Sequence, residues 1–236
     1  MTVLHRNETR GKANFGWLDS KHTFSFGHYY DPDRIQFGAL RVLNDDRVLP
    51  AQGFGTHPHK NMEIVSIPLS GALRHEDSEG NKAVIRAGEV QAMSAGTGIR
   101  HSEYNDSETE DVRFLQIWIL PLEQDIAPRY DQKAFLKAER KNQFQQVVGP
   151  LNDPENLVRI NQHAYFSLAD IDAGQTVTYK AHQPGHGIYI FVLEGDAQVD
   201  DQQLLTRDAL GVTGQTSVSV RANGETEVLV IEVPMI

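Results

Sequence analysis

The chain has no cysteine among its 236 residues. Disulfides, thiolate metal ligands and thiol nucleophiles are therefore excluded, and histidine and carboxylate side chains remain as the metal ligands that the chain can offer. Long apolar segments are also absent, since no run approaches the ~18 apolar residues of a membrane span and the first residues lack the apolar core of a signal peptide. These absences predict a soluble, cytoplasmic protein without a membrane partner.

Positive charge is scarce. Lysine and arginine total 22 against 32 aspartates and glutamates, which gives a formal net charge of −10. The resulting field repels phosphates and no basic cluster offsets it, so the composition argues against nucleic acid as a direct partner. The length allows one large β domain or two modules of ordinary size, and either could bury a core.

Helix-like sequence is limited to one segment. Elsewhere short apolar runs bounded by Gly, Pro, Asn or Asp recur, and their β-branched content and period favour strands. The exception, QKAFLKAERKNQFQQ at 132–146, is polar and rich in Ala, Lys and Glu. We therefore expect an all-β protein in two modules, an N-terminal domain at 1–131 and a C-terminal domain at 132–236, with a helix near their joint.

The two halves are similar in pattern. MEIVSIPLSGALRHED at 62–77 resembles GIYIFVLEGDAQVDD at 187–201, because in each a strand ends at a glycine, Gly71 or Gly195, and a second strand follows. Aligning these glycines gives an offset of 124 residues and predicts a duplicated β-barrel. Three polar residues of the first half are lost in the second: His57, His59 and Glu63 fall on Ala181, Gln183 and Gly187. His182 and His186 lie nearby but out of register, so a metal is expected in the first barrel alone.

Two pairs of polar residues have the spacing of metal ligands. His57 and His59, in GTHPHKNME, would share one face of a strand with their Cβ atoms roughly 6 to 7 Å apart. His101 and Glu103, in HSE, have the same spacing and follow a loop in which Gly96 and Gly98 permit a tight turn. Together they would supply three nitrogens and one carboxylate oxygen, a set that suits Fe(II) and also Mn, Ni, Co or Zn.

Other readings of these residues remain open at this point. An isolated His-x-His faces solvent more often than it binds a metal. Glu63 shares the parity of the two early histidines, but on a straight strand it would lie roughly 13 Å beyond His59, so it could be a ligand only if the chain bends. We interpret the remaining histidines as structural: His5, His75 and His163 as surface or capping groups, and His22 and His28 as polar members of an aromatic-rich N-terminal stretch.

The motifs around these residues resemble a known family. HPHKNMEIVSIPLSG is similar to the first cupin motif, with one residue added before Gly71, and GIRHSEYN is similar to the second. The N-terminal GWLDSKHTFSFGHYYDPDRIQFGALRVLNDD, with GFGTHPHKNMEIVS and MSAGTGIRHSEYN, resembles the pirin family and its bacterial quercetin-cleaving members. The resemblance implies a bicupin, two jelly-roll barrels in one chain, with one metal ion in the N-terminal barrel. The residues that match the family's ligands are His57, His59, His101 and Glu103, which leaves Glu63 as a structural or outer-shell acid.

The resemblance also implies an activity, cleavage of a flavonol such as quercetin by O2. Its cofactor would be one divalent ion, Fe(II) in the first place, with Zn, Mn, Co, Ni or Cu as alternatives. Residual positive charge on such an ion lowers the pKa of a bound hydroxyl, and Glu103 would be the base that takes its proton. Four apolar residues, Phe24, Phe26, Phe54 and Met93, would line a flat pocket or belong to the barrel core.

Two other functions stay open. A regulatory protein of the pirin type would use the metal as a sensor and act through a protein partner, which the acidic charge does not exclude. A cupin isomerase or a storage-like β protein would carry a vestigial site. We expect a monomer in each case.

Overall fold

The computed structural model describes residues 1–155 and 157–236. Nearly all regular structure in these residues is β-strand, which confirms the all-β prediction. The strands of the first half are β1 (Thr2–His5), β2 (Gly11–Asn14), β3 (Leu18–His22), β4 (Leu40–Val48), β5 (Gly53–His59), β6 (Glu63–Ser70), β7 (Ala72–Asp77), β8 (Lys82–Arg86), β9 (Glu89–Ser94), β10 (Ile99–Asn105), β11 (Val112–Ile119) and β12 (Arg129–Ala134).

The second half repeats the pattern after a short connection. Its strands are β13 (Gln145–Pro150), β14 (Val158–Ile160), β15 (Tyr165–Ile171), β16 (Thr176–Lys180), β17 (Gly187–Glu194), β18 (Asp196–Val199), β19 (Gln202–Leu205), β20 (Ala209–Val212), β21 (Ser217–Ala222) and β22 (Thr226–Val233). The helical segments among the described residues are two 3₁₀ turns, Asn7–Thr9 and Lys137–Arg140. In this part of the chain no helix has the length and apolar character needed to cross a membrane.

The sheet topology shows the same arrangement of strands twice. A first unit combines a seven-stranded sheet, β12-β9-β6-β11-β4-β3-β2, with a four-stranded sheet, β5-β10-β7-β8. A second unit has the same two layers, β1-β20-β17-β22-β15-β13-β14 and β16-β21-β18-β19. Strands β6 and β17 are related by the predicted offset of 124 residues, and each ends just before a glycine of positive φ, Gly71 or Gly195. The order of the strands is thus repeated although few side chains are shared.

Strand pairing crosses the proposed domain boundary in two places. Strand β1, at the N-terminus, pairs with β20 of the second unit, with Thr2 opposite Val212. Strand β12 continues past residue 131 as far as Ala134, and all of it pairs with β9 of the first unit. The division of the chain at 131/132 therefore stays a prediction. The first strand of the chain, β1, lies in the large sheet of the second unit.

The helix expected over 132–146 is wrong. Its first residues belong to β12 and its last to β13, and only Lys137–Arg140 forms a 3₁₀ turn. Long-range contacts outweigh the local propensity here: β12 completes the edge of a sheet beside β9, and the buried Arg140 pairs with Asp170 at 2.7 Å.

The central strands of both large sheets are buried on both faces, which explains their almost continuous apolar sequences. One face of each packs against the other unit, and this shared core includes Leu43 and Ile117 of the first unit with Phe166 and Ile231 of the second. The opposite faces point into the units themselves. The interior of the second unit is a single apolar cluster. That of the first unit is divided into two small clusters with polar side chains between them, and those polar residues form the candidate site.

Candidate metal centre

The two predicted pairs lie on adjacent strands of the four-stranded sheet. Strands β5 and β10 are antiparallel, and His101 stands directly opposite His57. Burial alternates along β10, so His101 and Glu103 both point to the interior while Ser102 between them is less buried. The loop before β10 turns through Gly96 and Gly98, whose φ angles of 47° and 143° are accessible to glycine, as the sequence predicted.

Three imidazoles converge at this point. The ring centroids of His57 and His59 are 4.8 Å apart, and that of His101 lies 4.4 Å from the first and 4.9 Å from the second. One ring nitrogen from each residue lies within 4.8 Å of the others, close enough for all three to bind one ion. We call these residues the three-histidine cluster.

Hydrogen bonds orient two of these rings. The Nδ1 of His57 is 2.8 Å from the carbonyl oxygen of Gly55, to which it donates, so its Nε2 is free to bind a metal. The Nδ1 of His101 is 3.5 Å from the Nδ1 of His75, and the Nε2 of His75 is 3.1 Å from the Asp77 carboxylate. Because the Asp77 carboxylate accepts a hydrogen bond from His75 Nε2–H, His75 Nδ1 can accept from His101 Nδ1–H, and the free lone pair of His101 then lies on Nε2.

The charge state of the cluster also suits a cation. Burial, with neighbouring imidazoles adding to it, lowers the pKa of His101 to about 2 and that of His59 to about 4. Both rings are neutral at pH 7, the form that coordinates a metal. The Nε2 of His101 is buried without a hydrogen-bonding partner among the described residues. An ion bound by the cluster would satisfy that nitrogen, so the residues present fit a divalent metal.

Glu103 adjoins the cluster from a second group of potential ligands. Its carboxylate lies with His75 and His101 in a set whose ligand atoms are within 4.8 Å of one another. The side chain is fully enclosed: Gln116 Nε2 donates to Oε2 at 2.8 Å, and Ser66 Oγ is 3.3 Å from Oε1. Burial raises the pKa of Glu103 to about 7, against the opposing effect of both hydrogen bonds. A neutral or singly charged carboxyl group is thus available beside His101.

Glu63 is placed elsewhere. The chain bends between His59 and Glu63: it turns at Lys60–Met62, with Asn61 at a φ of 49°, and enters the other sheet, but the bend does not bring Glu63 into either group of potential ligands. The Glu63 carboxylate accepts from Ser94 Oγ at 2.6 Å and from the backbone N–H of Asn161 at 3.0 Å. It therefore links the first unit to the second, and it belongs to neither group of potential ligands.

The other histidines divide into three outcomes. The surface interpretation is wrong for His75, which is fully buried beside His101, and for His5, whose Nδ1 is 2.7 Å from the Tyr189 hydroxyl in the shared core. It is correct for the exposed His163. His22 contacts the rings of Phe26 and Tyr29, as expected for the aromatic-rich stretch. The involvement of His75 could not be seen locally, because it depends on the pairing that sets His75 opposite Glu103.

A cavity of about 510 Å³ opens beside the cluster and is lined by His57, His59 and Glu103. Its walls are largely aromatic, formed by Phe15, Phe26, Tyr29, Phe54 and Trp118. The indole of Trp118 meets His59 edge to face at 5.0 Å and Phe26 at 5.3 Å. Of the four apolar residues proposed for the pocket, Phe26 and Phe54 line it, whereas Phe24 and Met93 are core residues.

The corresponding region of the second unit is filled differently. Strands β16 and β21 direct Val177, Tyr179, Val218 and Val220 into an apolar interior. His182 and His186 each lie 3.0 Å from an oxygen of the buried Glu232. That carboxylate also accepts from the Tyr179 hydroxyl at 2.8 Å and from the backbone N–H of Gln183 at 3.0 Å. Its lone pairs are already used within the protein, which leaves little capacity for an ion.

We therefore predict one bound ion per chain. Purified protein loaded with Fe(II), Ni(II) or Zn(II) and desalted should hold close to one metal equivalent by elemental analysis, since both compact ligand groups among the described residues lie in the first unit. His182→Ala and His186→Ala should leave this ratio unchanged. A ratio near two that falls to one in either variant would show that the second unit also binds metal.

Comparison with known proteins agrees with this architecture. The Pirin family profile matches residues 4–119, and the profile described as the quercetinase C-terminal cupin domain matches residues 147–233. The chain is 42% identical over 240 residues to the quercetin 2,3-dioxygenase of Escherichia coli K12, covering 99% of each chain. The crystal structure of YhhW from Escherichia coli superposes with a TM-score of 0.95 at 41% identity, covering 100% of this chain and 99% of that one.

A second solved structure adds a metal. It is that of the bacterial pirin YhhW from Escherichia coli in complex with nickel(II), which is 40% identical with a TM-score of 0.94 and full coverage of both chains. These similarities extend over both units, and they confirm the bicupin fold that the sequence motifs implied. The two family profiles and the full-length relatives together establish that this chain belongs to the pirin family.

Proposed function

We propose that the protein is a metal-dependent dioxygenase that cleaves flavonols such as quercetin with O2. The observation that carries the proposal is the three-histidine cluster beside a largely aromatic cavity of about 510 Å³. That volume suits a drug-sized aromatic ligand. The relative named quercetin 2,3-dioxygenase supports the substrate class, and the nickel(II) complex of a bacterial pirin supports a divalent metal.

In this proposal the ligands are His57, His59, His101 and Glu103, and they hold one divalent ion. Fe(II) is the expected metal, with Zn, Mn, Co, Ni or Cu as alternatives, because a set of neutral imidazoles and one carboxylate binds all of them. The ion would supply the positive charge that lowers the pKa of a substrate hydroxyl, and a redox-active ion such as Fe(II) would also supply a redox route to O2.

The remaining steps belong to the protein's own side chains. Stacked against Phe26, Phe54 and Trp118, a planar substrate would be held out of water with its hydroxyl toward the cluster. Glu103, a carboxylate beside the cluster, would take the hydroxyl proton. Gln116 would hold the Glu103 carboxylate in place during this transfer. His75 and Asp77 would fix the ring of His101.

Oxygen uptake tests the proposal. Protein loaded separately with each metal should consume O2 when quercetin is added, and the rate should follow metal occupancy. Because quercetin oxidises slowly by itself, the controls are metal-free protein and buffer that contains the same concentration of free metal. Failure of every loaded form to exceed these controls would contradict a dioxygenase function.

The same assay separates the alternative, a regulatory protein of the pirin type that acts through a protein partner. Full metal occupancy without flavonol-dependent O2 uptake would favour that function. The formal charge of −10 is compatible with a basic protein surface as the partner. Our proposal further includes a cytoplasmic location and a monomeric state, which gel filtration with light scattering would check.

A further inference from the structure

A row of polar side chains crosses the inner face of the large sheet of the first unit. Its members stand opposite one another on five adjacent strands, β3, β4, β11, β6 and β9, and all are at least nine-tenths buried. We call them the polar row: His22, Asn44, Gln116, Ser66 and Gln91. The second unit fills its interior with apolar residues, so the row is a feature of the first unit and not of the repeated fold.

The middle of the row is already explained. Gln116 and Ser66 both lie against the Glu103 carboxylate, at 2.8 Å and 3.3 Å, and they position it beside the three-histidine cluster. At the β3–β4 end the part of the chain that the structure describes provides no such partner. There the Nδ1 of His22 and the Oδ1 of Asn44 have no hydrogen-bonding partner within residues 1–155 and 157–236.

Asp46 adds a third group to this end. It lies two residues from Asn44 on β4, opposite Ser20, whose hydroxyl is close enough to favour the ionised carboxylate, but Asp46 Oδ1 and Ser20 Oγ do not form a hydrogen bond of good geometry. His22, Asn44 and Asp46 are 4%, 3% and 4% exposed, and burying polar atoms so deeply without partners destabilises a fold. We call these three residues the unpaired patch. Their retention in the interior calls for a ligand that completes their hydrogen bonds.

The unpaired patch lines the same cavity as His57, His59 and Glu103. Aromatic rings, Phe26 and Trp118 among them, line the cavity beside these polar groups, and Phe26 contacts both His22 at 5.2 Å and Trp118 at 5.3 Å. An occupant that satisfies both parts needs a flat apolar body with one polar group at the cluster and a second that donates and accepts hydrogen bonds. A phenolic hydroxyl on an aromatic ring has these properties.

We propose that His22, Asn44 and Asp46 form a subsite that hydrogen-bonds a phenolic hydroxyl of the substrate, on a ring away from the hydroxyl that faces the three-histidine cluster. The subsite selects polyhydroxylated flavonols over flavonols that lack hydroxyls on their outer rings, because the latter leave the patch unpaired. This inference rests on the proposed function for the identity of the ligand.

Binding without turnover tests the subsite directly. Protein loaded with Ni(II) is titrated under anaerobic conditions with quercetin and with 3-hydroxyflavone, which shares the reactive hydroxyl but has none on its outer rings. Quenching of protein fluorescence gives both dissociation constants. Quercetin should bind about tenfold or more tightly, as expected for one or two hydrogen bonds to buried groups. Equal affinities for the two ligands in the wild-type protein would overturn the subsite without any variant being made.

Substitutions then test which residues cause the preference for quercetin. Asn44→Leu should reduce the preference for quercetin to less than about threefold, by weakening quercetin while the affinity for 3-hydroxyflavone stays the same or improves. Its thermal midpoint should not fall, since an unpaired polar group is replaced by an apolar one of similar size. Asp46→Asn keeps an acceptor and should retain most of the preference. If Asn44→Leu lowered the affinities for quercetin and 3-hydroxyflavone equally and also lowered the thermal midpoint, Asn44 would have a structural role instead.

Gln91 provides the matched control. It lies at the other end of the polar row, is 1% exposed, and its Nε2 also lacks a partner among the described residues, but it does not line the cavity. Gln91→Leu should therefore keep the preference for quercetin, and loss of the preference in this variant would overturn the proposal. The dioxygenase function and the subsite can fail separately. Preferential binding of quercetin without O2 uptake would contradict the dioxygenase function, whereas O2 uptake without preferential binding would contradict the subsite.

Discussion

Replacing His101 with alanine is expected to abolish metal binding. The change removes one of three imidazoles whose centroids are 4.4 to 4.9 Å apart. It also removes the ring that His75 and Asp77 hold in place. Losing an outer-shell partner alone weakens metal affinity by ~10- to 100-fold, and losing a ligand should cost more. Metal content after desalting should fall from about one equivalent per chain to near zero.

The matched control for this experiment is His163→Ala, because His163 is exposed and belongs to neither group of potential ligands. His57→Ala should behave like His101→Ala. Circular dichroism would verify that each variant retains its β-structure, since the shared core of the two units does not include the cluster. Full metal occupancy of the His101→Ala protein would show that the ion binds elsewhere.

Local sequence patterns were sufficient to predict strands and ligand pairs where the residues concerned are close in sequence. The two-residue period of a strand predicted that His57 and His59 share one face, and that His101 and Glu103 share one face. The structure places the two pairs on adjacent strands. Strands β8 and β9 coincide with two of the short apolar runs, KAVIR and EVQAMS, and the glycine offset predicted that β6 and β17 correspond. In each case a short repeat in the sequence maps directly onto strand geometry.

Residues that meet only through long-range pairing were missed. His75 has no histidine two residues away in ALRHED, and only the register between β7 and β10 sets it beside His101. The polar row is a stronger example, because its five members come from five strands and have no spacing in common. The false helix at 132–146 has the same cause, since the sheet edge beside β9 outweighs the local propensity of those residues.

The two glutamates provide the test that distinguishes the ligand set proposed here, with Glu103, from one in which Glu63 is the carboxylate ligand. Glu103→Gln keeps the shape and one oxygen that Gln116 can still bond, but it removes the charge and the proton acceptor. If Glu103 is the base, flavonol turnover should fall by the ~100- to 10,000-fold typical of losing general-base help. The metal should bind more weakly without necessarily being lost, since the three-histidine cluster remains.

Glu63→Gln should have little effect on either property. The Glu63 carboxylate accepts hydrogen bonds from Ser94 and from the backbone of Asn161, and burial raises its pKa, so a neutral amide is a close substitute. The turn at Lys60–Met62 places it in the other sheet, away from the three-histidine cluster. Metal content and flavonol-dependent O2 uptake would be measured for both variants side by side. If Glu63→Gln lost metal and activity while Glu103→Gln stayed near wild type, Glu63 would be the carboxylate ligand, and the role assigned to Glu103 would be wrong.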